Sequence, residues 1–258
     1  MTKETDAKIR PALFEYVLAL GDDRLVLGHR LSEWCGHGPI LEEDIALANL
    51  SLDCLGQASG LLKLAGELEG AGRSEDDLAY FRDETDFKNF KLVELPRGDF
   101  AFTIARQFLF DTYSLLLFEQ LQKSRNETLA GISAKSFKEV GYHVRHAAEW
   151  MRRLGDGTEE SHRRLQDAVD EMWRYTGELF DADESDAALV EAGYAADAAA
   201  LKPKWEEMVT AVFKDSGIVP PETAYFEGGS RQGQHTEHLG HLLAEMQIVA
   251  RSFPGAKW

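Results

Sequence analysis

Apolar residues recur every three or four positions along most of the chain, and runs that alternate apolar with polar residues are nearly absent. This spacing puts apolar side chains on one face of an α-helix and predicts an all-helical protein. Asp99 is a suitable N-cap, and the glycines at 36, 38, 155 and 157 suit helix ends. Four long helices are predicted, over 12–34, from just after 39 to 68, over 99–123 and over 127–154.

The connection between the second and third predicted helices, residues 70–97, is too long for a simple loop and carries Phe81, Phe87, Phe90 and Leu92. Two short-loop helix pairs joined by one long crossing connection are typical of the ferritin-like bundle. We therefore predict an all-α, ferritin-like four-helix bundle with additional C-terminal helices, in one domain over 1–258. The bundle covers about 12–154, and peripheral helices and a tail, at 158–180, 187–200, 203–213 and 237–251, cover about 158–258.

The composition excludes several classes of protein. With 28 Lys and Arg against 45 Asp and Glu, the net charge is −17, whereas nucleic-acid binding needs a basic surface. Two cysteines do not suggest a disulfide framework, and neither a secretory leader nor an uncharged 18-residue apolar run is seen. We predict a cytoplasmic protein with no nucleic-acid partner and no membrane.

Three polar residues, Gln57, Asp111 and His143, lie on the apolar stripes, where burial is costly unless they are paired. In di-iron bundles, each helix pair supplies a carboxylate and a Glu-x-x-His motif. Two ferrous ions need about four carboxylates, so we predict a degenerate site without catalytic, cofactor-binding or metal-binding residues. A buried hydrogen bond between Asp111 and His143, joined by Gln57, would then fix helix register. The six inner positions are Leu27, Cys54, Gln57, Asp111, Val140 and His143.

An alternative interpretation uses Glu139, which stands four residues before His143. Asp111, Glu139 and His143 would then hold one iron or manganese ion in an autonomous ferritin-like metalloenzyme. Glu139 lies off the apolar stripe, and for that reason the degenerate site is preferred.

Two features near the C-terminus suggest chemistry less strongly. His235, His238 and His241 recur at every third position, but the outer two diverge by about 120° around a helix and no His-Glu-x-x-His motif is present. Capping and packing of the tail are favoured over zinc binding. The sequence GGSRQG at 228–233 lacks the Lys-Ser/Thr of a phosphate loop and is interpreted as a turn.

Two further pairs of residues receive a structural interpretation. Cys35 and His37 have no third group to orient a nucleophile. Asp22 and Asp23 are adjacent, so on a helix they point about 100° apart and cannot act on one bond together. For these two acids, pairing with Arg24 or with a partner chain is expected.

Six strings occur in order along nearly the whole chain: LGDDRLVLGHRLSEWCGHGP, EDIALANLSLDCLGQA, FTIARQFLFD, ISAKSFKEVGYHVRH, ELFDADE and GGSRQGQHTEHLGHLLAEMQ. In these strings the chain resembles the PaaC family, the structural subunits of bacterial ring-1,2-phenylacetyl-CoA epoxidase. The resemblance implies a component of an NADPH-dependent monooxygenase complex of aerobic phenylacetate catabolism that is not itself catalytic. It also implies no cofactor in this chain.

The same resemblance implies partners for the chain. These are a catalytic di-iron subunit, a small bridging subunit and a reductase that passes electrons from NADPH. Compared with the catalytic subunit, Cys54 and Val140 stand where Glu ligands belong, and Gln57 stands where a His belongs. The CoA portion of the substrate is a further expected contact, for which basic candidates in the sequence are Lys63, Arg106 and Lys135.

Overall fold

A computed structural model describes residues 3–182, 184–222 and 225–256, which contain ten α-helices and no strand. The predicted all-helical class is therefore confirmed. Short 3₁₀ turns lie at Glu84–Asp86, Trp173–Tyr175, Gly177–Phe180 and Ser230–Gln232. The helices are α1 (Lys3–Ser32), α2 (Leu41–Glu69), α3 (Glu75–Tyr80), α4 (Lys91–Glu94), α5 (Phe100–Leu121), α6 (Glu127–Gly155), α7 (Glu159–Met172), α8 (Glu184–Glu191), α9 (Ala198–Ser216) and α10 (Glu237–Ser252).

The chain divides into two compact units, and the first comprises Met1–Cys35, Ala46–Pro96 and Gly229–Trp258. In it, α1 and α2 pack closely at Gly28. A Cβ at this glycine would lie 3.0 Å from Leu55 and 3.3 Å from Cys54, which is tighter than ordinary contact. The Ser51 hydroxyl also donates to the Gly28 carbonyl at 2.7 Å. A side chain at position 28 would therefore push the two helices apart.

The long connection is part of the core of this first unit. Phe87, Phe90 and Leu92 are buried, and Phe81 is 44% exposed. The connection folds inward because its backbone N–H groups have buried acceptors, as described below. It also contains α3 and α4, which the apolar spacing did not reveal because each is under two turns long.

The second unit comprises Gly36–Ile45 and Arg97–Gly228. Its helix starts are capped by side chains: Asp99 accepts from the N–H of Phe102 at 2.9 Å, and Asn126 accepts from the N–H of Leu129 at 2.9 Å. The Asp99 cap confirms the prediction. The Trp205 indole donates to the Leu109 carbonyl at 2.9 Å and so ties α9 to α5.

Three predicted boundaries are wrong. The first helix starts at Lys3 with Pro11 inside it, and ends at Ser32. The helix expected over 158–180 ends at Met172 and continues as two 3₁₀ turns. The break expected at Pro203 instead lies before α9, whose N-cap is Asp197. Pro203 is the sixth residue of α9, where it removes one backbone hydrogen bond, and the helix continues through it to Ser216.

The single domain over 1–258, with its bundle at 12–154, stays a prediction. In the described part of the chain one helix, α2, is long and apolar enough to cross a membrane, and 44% of its apolar window is buried. Core helices of soluble proteins have the same composition. The absence of a membrane and the cytoplasmic location also stay predictions.

Candidate functional site

The six inner positions of the predicted degenerate site are all buried, with exposures of 0–2%. In the first unit lie Leu27 on α1 and Cys54 and Gln57 on α2. In the second unit lie Asp111 on α5 and Val140 and His143 on α6.

In the second unit, Asp111 and His143 approach each other without a direct hydrogen bond. The Asp111 Oδ1 and His143 Nδ1 atoms lie 3.9 Å apart, beyond hydrogen-bond distance. The other carboxylate oxygen, Oδ2, accepts from the Gln107 side-chain amide at 2.9 Å. Gln107 is fully buried on α5, and the sequence analysis missed it. The interpretation of a direct Asp111–His143 hydrogen bond is therefore replaced by a Gln107–Asp111 hydrogen bond beside the imidazole.

The donor chemistry of these positions does not fit a di-iron centre. Leu27 and Val140 have no donor atom, and the first-unit positions include neither a carboxylate nor an imidazole. Two ferrous ions need carboxylates to bridge them and to neutralise their charge. Nowhere in the described ranges do three or more His, Cys, Asp or Glu side chains form a group that could hold a metal ion.

The alternative mononuclear site fits no better. Glu139 is 20% exposed and lies 3.4 Å from the Lys135 ammonium on the same helix, whereas Asp111 and His143 are fully buried. In the described part of the chain, Asp111, Glu139 and His143 do not form a group that could hold a metal ion.

The comparisons with known proteins decide the family. A family model described as "Phenylacetic acid catabolic protein" matches residues 1–258. The chain belongs to this family. A relative in Escherichia coli (strain K12), named as a subunit of "1,2-phenylacetyl-CoA epoxidase", is 52% identical over 247 residues, which cover 95% of this chain and 99% of that protein. The resemblance inferred from the six strings is confirmed, and the ferritin-like fold class agrees with the helical structure.

In the first unit, Asp22 and Asp23 of α1 hold other segments of the chain in place. Arg82 donates to both carboxylate oxygens of Asp22, and the Lys88 backbone N–H donates to the Oδ2 atom of Asp22 at 2.9 Å. Asp23 accepts from the Phe90 N–H at 2.8 Å and from Arg231 at 2.8 Å. These hydrogen bonds come from Arg82, Arg231 and the backbone of the connection, and the charge of the expected partner Arg24 also acts on Asp23.

Both acids are almost completely buried, with exposures of 0% and 2%. Burial raises the pKa of Asp23, and the neighbouring Arg231 only partly offsets it. Arg231 belongs to GGSRQG, which forms the predicted turn, with Gly229 and Gly233 at φ of 89° and 78°. The turn therefore positions an arginine that joins the tail to α1.

His235 forms a second connection between the tail and the first unit. Its Nδ1 lies 2.9 Å from the Glu94 carboxylate, and its Nε2 lies 2.9 Å from the Phe87 carbonyl. The Thr236 N–H donates to the same carboxylate at 2.5 Å, and Arg30 donates to the His238 carbonyl at 2.8 Å. His235 and the backbone of His238 thus hold the tail against the first unit. This agrees with tail packing, the interpretation favoured for these histidines.

In the second unit, Glu43 and His146 form a part-buried pair that the sequence analysis did not find. The carboxylate and the ring Nε2 lie 2.8 Å apart, so the first turn of α2 is bonded to α6. Cys35 and His37 are exposed, and the Gly36 N–H between them donates to the Asp44 carboxylate at 2.9 Å. This arrangement suits the end of a helix and supports the structural interpretation.

Proposed function

We propose that this chain is the structural subunit of a multicomponent di-iron monooxygenase that epoxidises the ring of phenylacetyl-CoA in aerobic phenylacetate catabolism. The observation that carries the proposal is the nearly end-to-end match to a protein named as a subunit of "1,2-phenylacetyl-CoA epoxidase". The inner positions favour a supporting role over a catalytic one, because only Asp111 and His143 among them are ordinary iron ligands.

A subunit of a multi-subunit epoxidase has partner subunits. In this proposal they are the catalytic di-iron subunit, against which the chain packs, a small bridging subunit and a reductase. The iron lies in the catalytic subunit, electrons come from NADPH through the reductase, and the hetero-oligomer works in the cytoplasm.

A finer part of the proposal concerns the CoA portion of the substrate. Of the three basic candidates, Arg106 is fully buried and does not suit a phosphate that arrives from solvent. Lys135 lies beside Glu139, whereas Lys63 is exposed on α2. If Lys63 contacts CoA, Lys63→Gln raises the KM for phenylacetyl-CoA and leaves kcat unchanged, since a lost binding charge acts equally on ground and transition states.

The experiment that tests the main proposal is reconstitution. Epoxide formation from phenylacetyl-CoA is followed with the purified catalytic subunit, bridging subunit, reductase and NADPH, with and without this chain. Omission of the chain is expected to abolish epoxidation. Full activity without it contradicts the proposal.

Iron content distinguishes the autonomous metalloenzyme. The purified chain is loaded anaerobically with ferrous ion, loosely held metal is removed, and iron per chain is measured. We expect a value near zero. About one iron per chain, the content of the mononuclear alternative, or about two, the content of a di-iron bundle, together with turnover by this chain alone, contradicts a supporting role.

A further inference from the structure

One face of α2 is exposed and carries no charged side chain from Leu41 to Ser59. Leu41, Ile45 and Leu52 are 71%, 54% and 66% exposed. At 100° per residue, Leu41, Ile45, Ala48, Leu52, Gly56 and Ser59 fall within about 80° of one another. We call this set the α2 face. In a chain with 28% charged residues, a contiguous exposed apolar surface of this kind marks an interaction site.

Gly56 gives an independent indication that something approaches this face. Glycine weakens the interior of a helix relative to alanine, so its presence there calls for a reason. At Gly28 the reason is internal, because α2 lies in contact. At Gly56 an added Cβ would meet no atom within 4 Å. The fold of this chain therefore does not require a glycine at position 56, and on the uncharged α2 face the missing side chain leaves room for a helix of another molecule to approach closely.

We propose that the α2 face is where the catalytic subunit docks, through a helix that packs lengthwise over Leu52 and Gly56. This inference rests on the proposed function. The face is about 27 Å long and only one helix wide. A standard interface covers about 800 Å² per partner, which is more than a single helix stripe provides. The α2 face therefore forms the apolar centre of the contact, surrounded by a polar rim.

The charges beside the face define the chemistry of the partner helix. Glu42 and Asp53 lie along one edge, about a quarter of a turn from the centre of the stripe. A helix with small or apolar residues at its centre and Lys or Arg beside them is complementary to this arrangement. A second copy of this chain would bring another net charge of −17, and a membrane surface is also negatively charged. Both are less suitable occupants than a basic-edged partner helix.

The experiment measures the affinity of the full-length chain for the purified catalytic subunit by calorimetry or biosensor. Gly56→Leu adds bulk where this chain leaves space, and Leu52→Glu adds a charge at the centre of the face. The matched control is Gly131→Leu. Gly131 is also an exposed helical glycine with no atom within 4 Å of an added Cβ, but its α6 surroundings include Glu127, Lys135 and Lys138.

We expect Gly56→Leu and Leu52→Glu to weaken binding at least about tenfold, as central interface residues do, and Gly131→Leu to leave affinity within about twofold of wild type. Circular dichroism and thermal melting establish that each variant is folded. Wild-type affinity in both α2 variants overturns the docking site, as does an equal loss in Gly131→Leu. If wild type itself does not bind the catalytic subunit, the proposed function fails, and the docking site fails with it.

Two further measurements test the other possible occupants of the α2 face. Light scattering detects a second copy of this chain, and vesicle flotation detects binding to a lipid surface. A wild-type dimer that Gly56→Leu converts to a monomer, with binding to the catalytic subunit unchanged, overturns the proposal in favour of a second copy. Wild-type binding to phosphatidylcholine or phosphatidylserine vesicles that Leu52→Glu abolishes, again with subunit binding unchanged, overturns it in favour of a lipid surface.

Discussion

The pair formed by His235 and Glu94 allows one prediction to be worked out in full. The two side chains are 1% and 0% exposed. Because a carbonyl oxygen can only accept, the Nε2 atom facing Phe87 carries a proton. Glu94 accepts from the Asn89 amide at 2.9 Å and from the Thr236 N–H. Both Glu94 oxygens therefore have acceptor roles that the carboxylate form satisfies, and in this form Oε2 also accepts from Nδ1 of the protonated His235.

The perturbation is Glu94→Gln, which keeps the shape and removes the charge. If the new NH₂ group replaces Oε2, it meets the donors of Asn89 and His235; if it replaces Oε1, it meets the Thr236 N–H. Two buried donors lose their acceptor in the first case and one in the second. Breaking a buried charged pair from one side costs about 3–5 kcal/mol, and a loss of this size lowers the Tm of a chain of this length by about 10 °C.

The assay is urea unfolding followed by circular dichroism, with the melting temperature as a second readout. The control is Glu245→Gln, the same change at an exposed position of α10, where we expect less than about 0.5 kcal/mol. A Glu94→Gln protein within about 1 kcal/mol of wild type would show that the pair is not ionised or does not hold the tail, and would refute this reasoning.

The same pair makes the unfolding free energy depend on pH. Burial lowers the pKa of His235, but the hydrogen bond and charge of Glu94, the Phe87 carbonyl and the charge of Glu84 outweigh it, and the pKa is raised above 6.5. A raised histidine pKa stabilises the fold fully below about pH 6.5, and that contribution is lost as pH rises through the folded-state pKa. Glu94→Gln should remove this pH dependence.

Two further predictions concern the other buried pairs. Asp22→Asn removes the bidentate partner of Arg82, which is itself 4% exposed, and should reduce the unfolding free energy by about 3–5 kcal/mol. Arg231→Gln should reduce it by less, because that arginine is 24% exposed. Urea unfolding of the two variants measures this difference. Asp111→Asn combined with His143→Gln should reduce stability while the reconstituted complex keeps its kcat, and a loss of turnover with the complex intact and the melting temperature unchanged would contradict this.

Local signals in the sequence were enough for the helices that pack through a continuous apolar stripe. α2, α5 and α6 begin and end within about two residues of their predicted bounds, because their periodicity and caps are properties of adjacent residues. Pro203 was misjudged for the same reason. A proline weakens a helix locally, but packing of Trp205 on the α5 backbone holds α9 together across it.

Contacts between distant residues were not predictable in this way. Arg82 lies 60 residues from Asp22, and Arg231 lies 208 residues from Asp23. The sequence analysis recognised that adjacent acids inside an apolar helix need partners, but nothing in the spacing identified which of the 28 basic residues they are. Gln107 was missed because a glutamine next to an apolar stripe has no periodic signature, although it is the residue that bonds Asp111.

The buried carboxylates show how this interior differs from one built around metal. In a di-iron bundle the metal ions neutralise the inward-facing carboxylates. Here Asp22, Asp23 and Glu94 are neutralised by Arg82, Arg231 and His235, which come from the connection and the tail. These ion pairs fix segments of the first unit to one another. Ion pairs that fix the segments of the first unit keep its surface in one conformation. A subunit that docks a partner on the α2 face needs such a constant surface.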